Sequence, residues 1–376
     1  MKIVYYTDQT YLHGGIERVL ANKVNFWVNE KGFETHIITS EQKGKLPCYD
    51  MADKVIFHDL AINYNRKISY FHPFNFSKVF KHFLLLKNKL KEINPDVVIV
   101  CNFAFDFYFV PFILPKITKI KEFHSSRYFE DQLRNQNKSF LKKIYYKIND
   151  YIESKYDYLA LLTKDEKQYY KSNNTVVIPN PLTNFPKKHA TLTNKKVISA
   201  GRIAPVKGFE KLIRTWELVA LKYPDWILEI YGEGEKGYVM SLQELISSLN
   251  LQNEVILCGS TDNMEEKMLN ASIYAMTSLT ECFPMVLLES LSCGLPVISF
   301  DCPNGPRNII INNKDGLLVK NNNIDAFAIA LITLMDDNEL RCNMGAIGRL
   351  NIKRFESKIV MKIWEKLFNN MIHNAI

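Results

Sequence analysis

The chain has 376 residues, 47% of them hydrophobic and 23% charged, the balance of a folded protein long enough for two domains. Its net charge of +8 is unevenly placed: residues 1–200 carry 31 Lys/Arg against 19 Asp/Glu, and residues 201–376 carry 17 against 21. Seven scattered cysteines form no C-x-x-C pair, which excludes a zinc or redox centre of that kind. No apolar run approaches the roughly 20 residues of a membrane-spanning helix.

At the N-terminus Lys2–Tyr6 reads as a strand with no basic-then-apolar leader before it, and with the unpaired cysteines this predicts a cytoplasmic protein. A long polar loop, Thr7 to His13, leads to His13-Gly14-Gly15-Ile16-Glu17-Arg18, where two glycines open a helix and let amides approach a phosphate. This turn lacks the G-x-G-x-x-G spacing of dinucleotide folds, and the Walker lysine motif is absent from the chain. Apolar runs at Thr35–Thr39, Asp96–Val100, Ile117–Glu122, Tyr158–Leu162 and Val176–Ile178 predict further strands, each separated by helical-period sequence. Lys67 to Lys91 and Lys138 to Lys147 interleave lysines with Phe, Tyr and Leu, a pattern that suits an anionic membrane surface and equally a set of solvated helices. No aromatic RNA-binding strand occurs, so nucleic acid is not an expected partner.

Three prolines in eight residues, Pro179 to Pro186, remove backbone donors and predict a linker. Beyond it the expected strands are Lys196–Ala200, Ile227–Tyr231, Val255–Cys258, Ile273–Met276, Pro296–Ser299 and Leu317–Val319. The first of these runs into Gly201-Arg202-Ile203-Ala204-Pro205-Val206-Lys207-Gly208, a turn carrying two cations suited to phosphate oxygens. Gly232 and Gly234 follow the second strand, where backbone approaches a ligand closely or simply turns. Later, Glu281-Cys282-Phe283-Pro284-Met285-Val286 opens a helix that carries Glu289. Pro284 fits its first position, and the amides around Met285 and Val286 then point outward as an anion site. Phe355 to Ile372 reads as one amphipathic helix.

The alternation of strands and helices predicts an α/β protein with two doubly wound, Rossmann-like domains facing across a cleft. The expected division is 1–180, a linker at 181–194, 195–354, and a C-terminal helix at 355–376 that returns towards the first domain. Taken together, these residues resemble glycosyltransferase family 4, the retaining GT-B enzymes of capsule, O-antigen and glycolipid synthesis, most specifically between Gly201 and Gly316.

The resemblance implies that Glu289 binds ribose hydroxyls, Glu281 holds the donor sugar, and Arg202 and Lys207 neutralise a diphosphate. Phe283, Pro284, Met285 and Val286 would line that site. Gly14 and Gly15 would border the phosphates, Gly232 and Gly234 the nucleoside, and His124, after the Ile117–Glu122 strand, the donor sugar. It further implies a UDP-hexose or UDP-N-acetylhexosamine donor, a saccharide or lipid-linked saccharide acceptor, retention of configuration, and a peripheral place on the inner membrane face. The chain holds no Asp-x-Asp pair, so no metal and no cofactor is expected. Pro181 stands where the family's linker has glycine. The alternatives are a GT-B epimerase and a non-catalytic nucleotide-sugar or nucleic-acid-binding protein.

Overall fold

The computed structural model describes residues 1–69, 72–136 and 139–374. Lys138 of the second basic segment, two residues of the first, and residues 375–376 of the expected C-terminal helix lie outside them.

The chain divides into two compact units, Met1–Pro181 with Ser357–Ile376, and Leu182–Glu356. The first holds seven parallel strands: β1 (Lys2–Thr7), β2 (Glu34–Thr39), β3 (Ile56–Asp59), β4 (Val97–Val100), β5 (Thr118–Glu122), β6 (Tyr158–Leu161) and β7 (Thr175–Val177), in the order β3-β2-β1-β4-β5-β6-β7. The second holds six: β8 (Lys196–Ala200), β9 (Ile227–Tyr231), β10 (Val255–Gly259), β11 (Ile273–Met276), β12 (Val297–Asp301) and β13 (Gly316–Lys320), in the order β10-β9-β8-β11-β12-β13. Both sheets reverse direction of growth beside their first strand, between β1 and β4 and between β8 and β11. Ligands of such sheets bind at that switch point, beyond the carboxyl ends of the strands.

Side chains alternate across each strand. Ile3 and Tyr5 enter one core layer with Trp27, Ile37 and Ile99, while Val4 and Tyr6 enter the opposite layer with Leu86, Leu90 and Phe107. In the second unit Val197, Leu228 and Ile298 pack against Leu212, Trp216 and Phe327. Both faces of each central strand are therefore covered, which is why these strands are uninterrupted apolar runs.

Four expectations shift. Strand β3 escaped the sequence reading because it is a four-residue edge strand, Ile56-Phe57-His58-Asp59, with mostly exposed side chains and no buried period. The segment 181–194, expected to be a linker, is held by the second unit from Leu182 on: Leu182 N–H donates to Phe355 O at 2.7 Å, Ala190 N–H to Cys293 O at 2.7 Å, and the Arg349 guanidinium to Lys188 O at 2.9 Å. The last helix begins at Ser357, after a short 3-10 turn at Ile352–Phe355. Pro284 caps its helix from outside, and the first helical residue is Met285.

Candidate active site

The loops that follow β8, β9 and β11 are knitted together by backbone contacts. Gly201 N–H donates to Tyr231 O at 3.0 Å and Ile203 N–H to Glu233 O at 2.7 Å. A Cβ on Gly232 would stand 1.9 Å from Gly201 O, and one on Gly234 would stand 2.0 Å from Ile203 O. The turn after β9 thus needs glycines to let the turn after β8 lie against it. This accounts for Gly232 and Gly234 without a ligand, although they also border a cavity of about 270 Å³ lined by Ile203, Glu233, Val239 and Gln243.

After a single 3-10 turn, Pro205–Lys207, Gly208 adopts φ +64°. A Cβ there would lie 2.3 Å from Thr277 O. The Thr277 hydroxyl donates to Gly208 O at 2.9 Å and Leu279 N–H to Val206 O at 2.8 Å, so the turn is bonded to the chain leaving β11. The result is that Lys207 Nζ meets Glu281 Oε1 at 2.6 Å, while the Ser278 hydroxyl donates to the same oxygen at 2.7 Å. Two residues 74 positions apart become an ion pair at the β8/β11 switch point. Arg202 stands exposed on the same loop, with no hydrogen bond or ion pair to its guanidinium among the described residues.

The helix Met285–Ser292 starts four residues after Glu281. Its first amides have no intrahelical acceptor, and they give the helix start a partial positive charge. Phe283 and Pro284 are buried there, and Met285, Val286 and Glu289 are half-buried. Beneath lies Tyr274, whose hydroxyl donates to Ala200 O at 3.1 Å and accepts from Ala200 N–H at 3.2 Å. Burial first, then the nearby charges of Glu281 and Glu289, pushes this phenol well up. Both carboxylates of the motif therefore act electrostatically on one buried hydroxyl that ties the end of β8 in place. Tyr274 and Ser278 were missed in the sequence, where a tyrosine inside an apolar strand reads only as core.

In the first unit, Gly15 opens the helix Gly15–Lys31, and a Cβ on Gly15 would meet nothing within 4 Å. At the N-cap Gly14, by contrast, a Cβ would lie 2.3 Å from Glu17 Oε2, so the Glu17 carboxylate sits beside the helix start. His124 follows β5, where its Nε2 lies 3.0 Å from Glu122 Oε2. Lys23 Nζ lies 2.6 Å from Glu122 Oε1, and both side chains of that pair are at most 4% exposed. Burial works to raise Glu122, but Lys23 and the hydrogen bond from His124 outweigh it and bring its carboxyl down to about 2. For His124 burial wins over Glu122 and holds the imidazole below its ordinary value. An ionised Glu122 cannot donate, so Nε2–H of the neutral ring donates to it and Nδ1 is left as an acceptor. Cys101 Sγ, Glu122 and His124 present ligand atoms within 4.8 Å of one another, and Lys23 already serves as their cation. His124 lines a cavity of about 290 Å³ with Ser125, Ser126, Arg127 and Phe103.

Residues 182–351 match the family of glycosyl transferases group 1. An uncharacterized glycosyltransferase of Haemophilus influenzae is 29% identical over 360 residues, covering 94% of this chain and 95% of that protein. The N-acetylgalactosamine-N,N'-diacetylbacillosaminyl-diphospho-undecaprenol 4-alpha-N-acetylgalactosaminyltransferase of Campylobacter jejuni is 34% identical over 150 residues, 40% of each chain. Among solved structures, Anabaena Alr3699/HepE in complex with UDP and glucose superposes with a TM-score of 0.75 at 16% identity, covering 98% of this chain and 99% of that one. Residues 182–351 thus carry the domain of the group 1 glycosyl transferases, and the chain has a GT-B fold.

Proposed function

We propose that this glycosyltransferase is a family 4 enzyme that moves a hexose or N-acetylhexosamine from a UDP-sugar, with retention, onto a saccharide or lipid-linked saccharide. The Lys207–Glu281 pair beside the Met285 helix start carries the reading. Departure of UDP places negative charge on the β-phosphate, and a fixed ammonium, the exposed guanidinium of Arg202 and the first helical amides are what stabilise it. Glu281 keeps Lys207 oriented and has a second oxygen for a donor hydroxyl. Glu289 takes ribose hydroxyls, and the cavity beside Gly232 and Gly234 takes the nucleoside.

The relatives support this: one forms an alpha linkage on a diphospho-undecaprenol saccharide, and one structural neighbour binds UDP and glucose. Transfer is metal-independent on this reading, since cations of the chain itself meet the diphosphate. The acceptor side lies in the first unit, near an anionic membrane surface, and Nδ1 of His124 accepts from a hydroxyl of the donor sugar. A place on the inner face of the cell membrane follows.

The test is UDP release from UDP-Gal, UDP-GalNAc, UDP-Glc and UDP-GlcNAc with mixed lipid-linked and soluble saccharide acceptors, with and without EDTA. One donor should release UDP only with acceptor, unaffected by EDTA, and NMR should show an α-linked product. Lys207→Met should lower kcat by roughly 100- to 1,000-fold, the usual cost of one donor to a developing oxyanion. Full turnover in this variant would put the diphosphate elsewhere, and acceptor-independent conversion of the sugar would identify an epimerase.

A further inference from the structure

The helix Phe140–Glu153 is turned inside out. Its polar positions face the protein: the Tyr108 hydroxyl donates to Asn149 at 3.1 Å, Asp150 takes Arg134 at 2.5 Å and Lys171 at 3.0 Å, and Glu153 takes the Arg127 guanidinium. Of its apolar positions Ile152 is buried in the core, but most face solvent. Phe140 is 74% exposed and Leu141 75%, and Ile144, Ile148 and Tyr151 extend the band along the next three turns. These residues recur at spacings of three and four, so they form one stripe rather than scattered contacts. The neighbouring helix Tyr128–Gln136 adds Phe129 and Leu133, both exposed.

An apolar stripe of this length has a partner, since single exposed side chains are ordinary but a contiguous band is not. The charges beside it identify the partner. At 100° per residue Lys143 and Lys147 flank the stripe, Lys142 lies behind it, and the acids of the helix, Asp150 and Glu153, are consumed inside. A two-fold contact with a second copy would set Lys143 and Lys147 against the same cations. A surface of lipid phosphates complements them.

We propose that the outward face of this helix docks on an anionic bilayer, with Phe140, Leu141 and Ile144 entering the headgroup boundary and Lys143 and Lys147 meeting lipid phosphates. This rests on the reading that the acceptor side works at a membrane, and it names the element that makes the contact.

Flotation of the full chain with phosphatidylcholine vesicles, with and without about a third phosphatidylglycerol, is the experiment. The protein should float with the anionic vesicles and bind neutral ones far less. Lys143→Glu with Lys147→Glu should weaken anionic binding at least five-fold per position, since one surface lysine is worth about that factor. Phe140→Ser with Leu141→Ser should abolish it. Both pairs should melt at the wild-type temperature, because the side chains are exposed. UDP release on a soluble acceptor should be unchanged in both, so a failed transferase reading shows as absent release from every form while the flotation result stands. Wild-type protein that stays with the soluble fraction, or variants that float equally, would overturn the proposal. So would sedimentation velocity showing a dimer that Phe140→Ser with Leu141→Ser converts to monomer while vesicles bind nothing.

Discussion

Lys23 and Glu122 are charged residues in a place where charge is costly, and each is tolerable only because of the other. The pair fixes the state of His124: Lys23 keeps Glu122 ionised, and together with burial it opposes a proton on the imidazole. Lys23→Met removes part of that opposition, leaving burial and Lys121 as the rest, and leaves the buried carboxylate with the Cys101 thiol and His124 as its hydrogen-bond partners. The His124 titration, followed by its ring proton resonance, should then move to higher pH, and Lys23→Arg should restore it. The sign follows from the charges: the wild-type ring is neutral below its ordinary value, and loss of the nearby cation favours imidazolium. The same variant should lose roughly 3–5 kcal/mol of stability, the cost of leaving one buried partner uncompensated. A His124 titration that does not move would show that Lys23 acts on Glu122 alone. In the sequence, Lys23 is one more lysine on an amphipathic helix. Nothing at short range says that it is buried, because the cover over it comes from more than 300 residues downstream. Glu281 and Lys207 were legible as motif residues, but their contact was not, since it depends on how three loops interlock.

The turn Pro205–Gly208 is the element that aims Lys207. Gly208 is held at φ +64° against the carbonyl of Thr277, so an alanine meets two obstacles at once: a left-handed backbone costing roughly 1–2 kcal/mol, and a carbonyl oxygen too close for any Cβ. Gly208→Ala should lower the stability of the second unit by about 1–3 kcal/mol. It should also reduce UDP release by displacing the Lys207 ammonium. Gly237→Ala, at a helical glycine with nothing within 4 Å, is the control and should leave release intact. Equal urea midpoints and equal rates for Gly208→Ala and wild type would remove the turn from the argument. Elements of this kind divide what the sequence shows. Central strands such as β1, β4 and β11 announce themselves, because burial on both faces forces continuous apolar runs. The edge strand β3 does not, because it is short and its exposed side chains show no buried period, and the segment after Pro181 does not, because hydrogen bonds to distant backbone, such as Ala190 to Cys293, hold what local composition describes as a loop.

At the scale of the whole chain, the first unit is completed by a segment that follows the second unit in the sequence. Val360, Met361, Trp364 and Phe368 enter the same buried layer as Ile3, Tyr5 and Trp27, and the second unit, Leu182–Glu356, is inserted between the two parts of the first. Trp364 also roofs the Lys23–Glu122 pair, with the Lys23 ammonium 4.7 Å from its ring centroid. The stability of the first unit therefore rests on a long-range closure, while that of the second is contained in one continuous segment. Trp364→Ala separates the two. It removes a fully buried indole and opens a charged pair to water, so it should cost roughly 3–5 kcal/mol in the first unit. Hydrogen exchange read by segment measures this directly. Amides of β1 and β4 should lose protection by about that amount, whereas amides of β8 and β11, whose packing is Leu212, Trp216 and Phe327, should keep theirs. Uniform loss across all four strands would mean that the chain unfolds as one cooperative body, and that the inserted unit depends on the helix that closes the first.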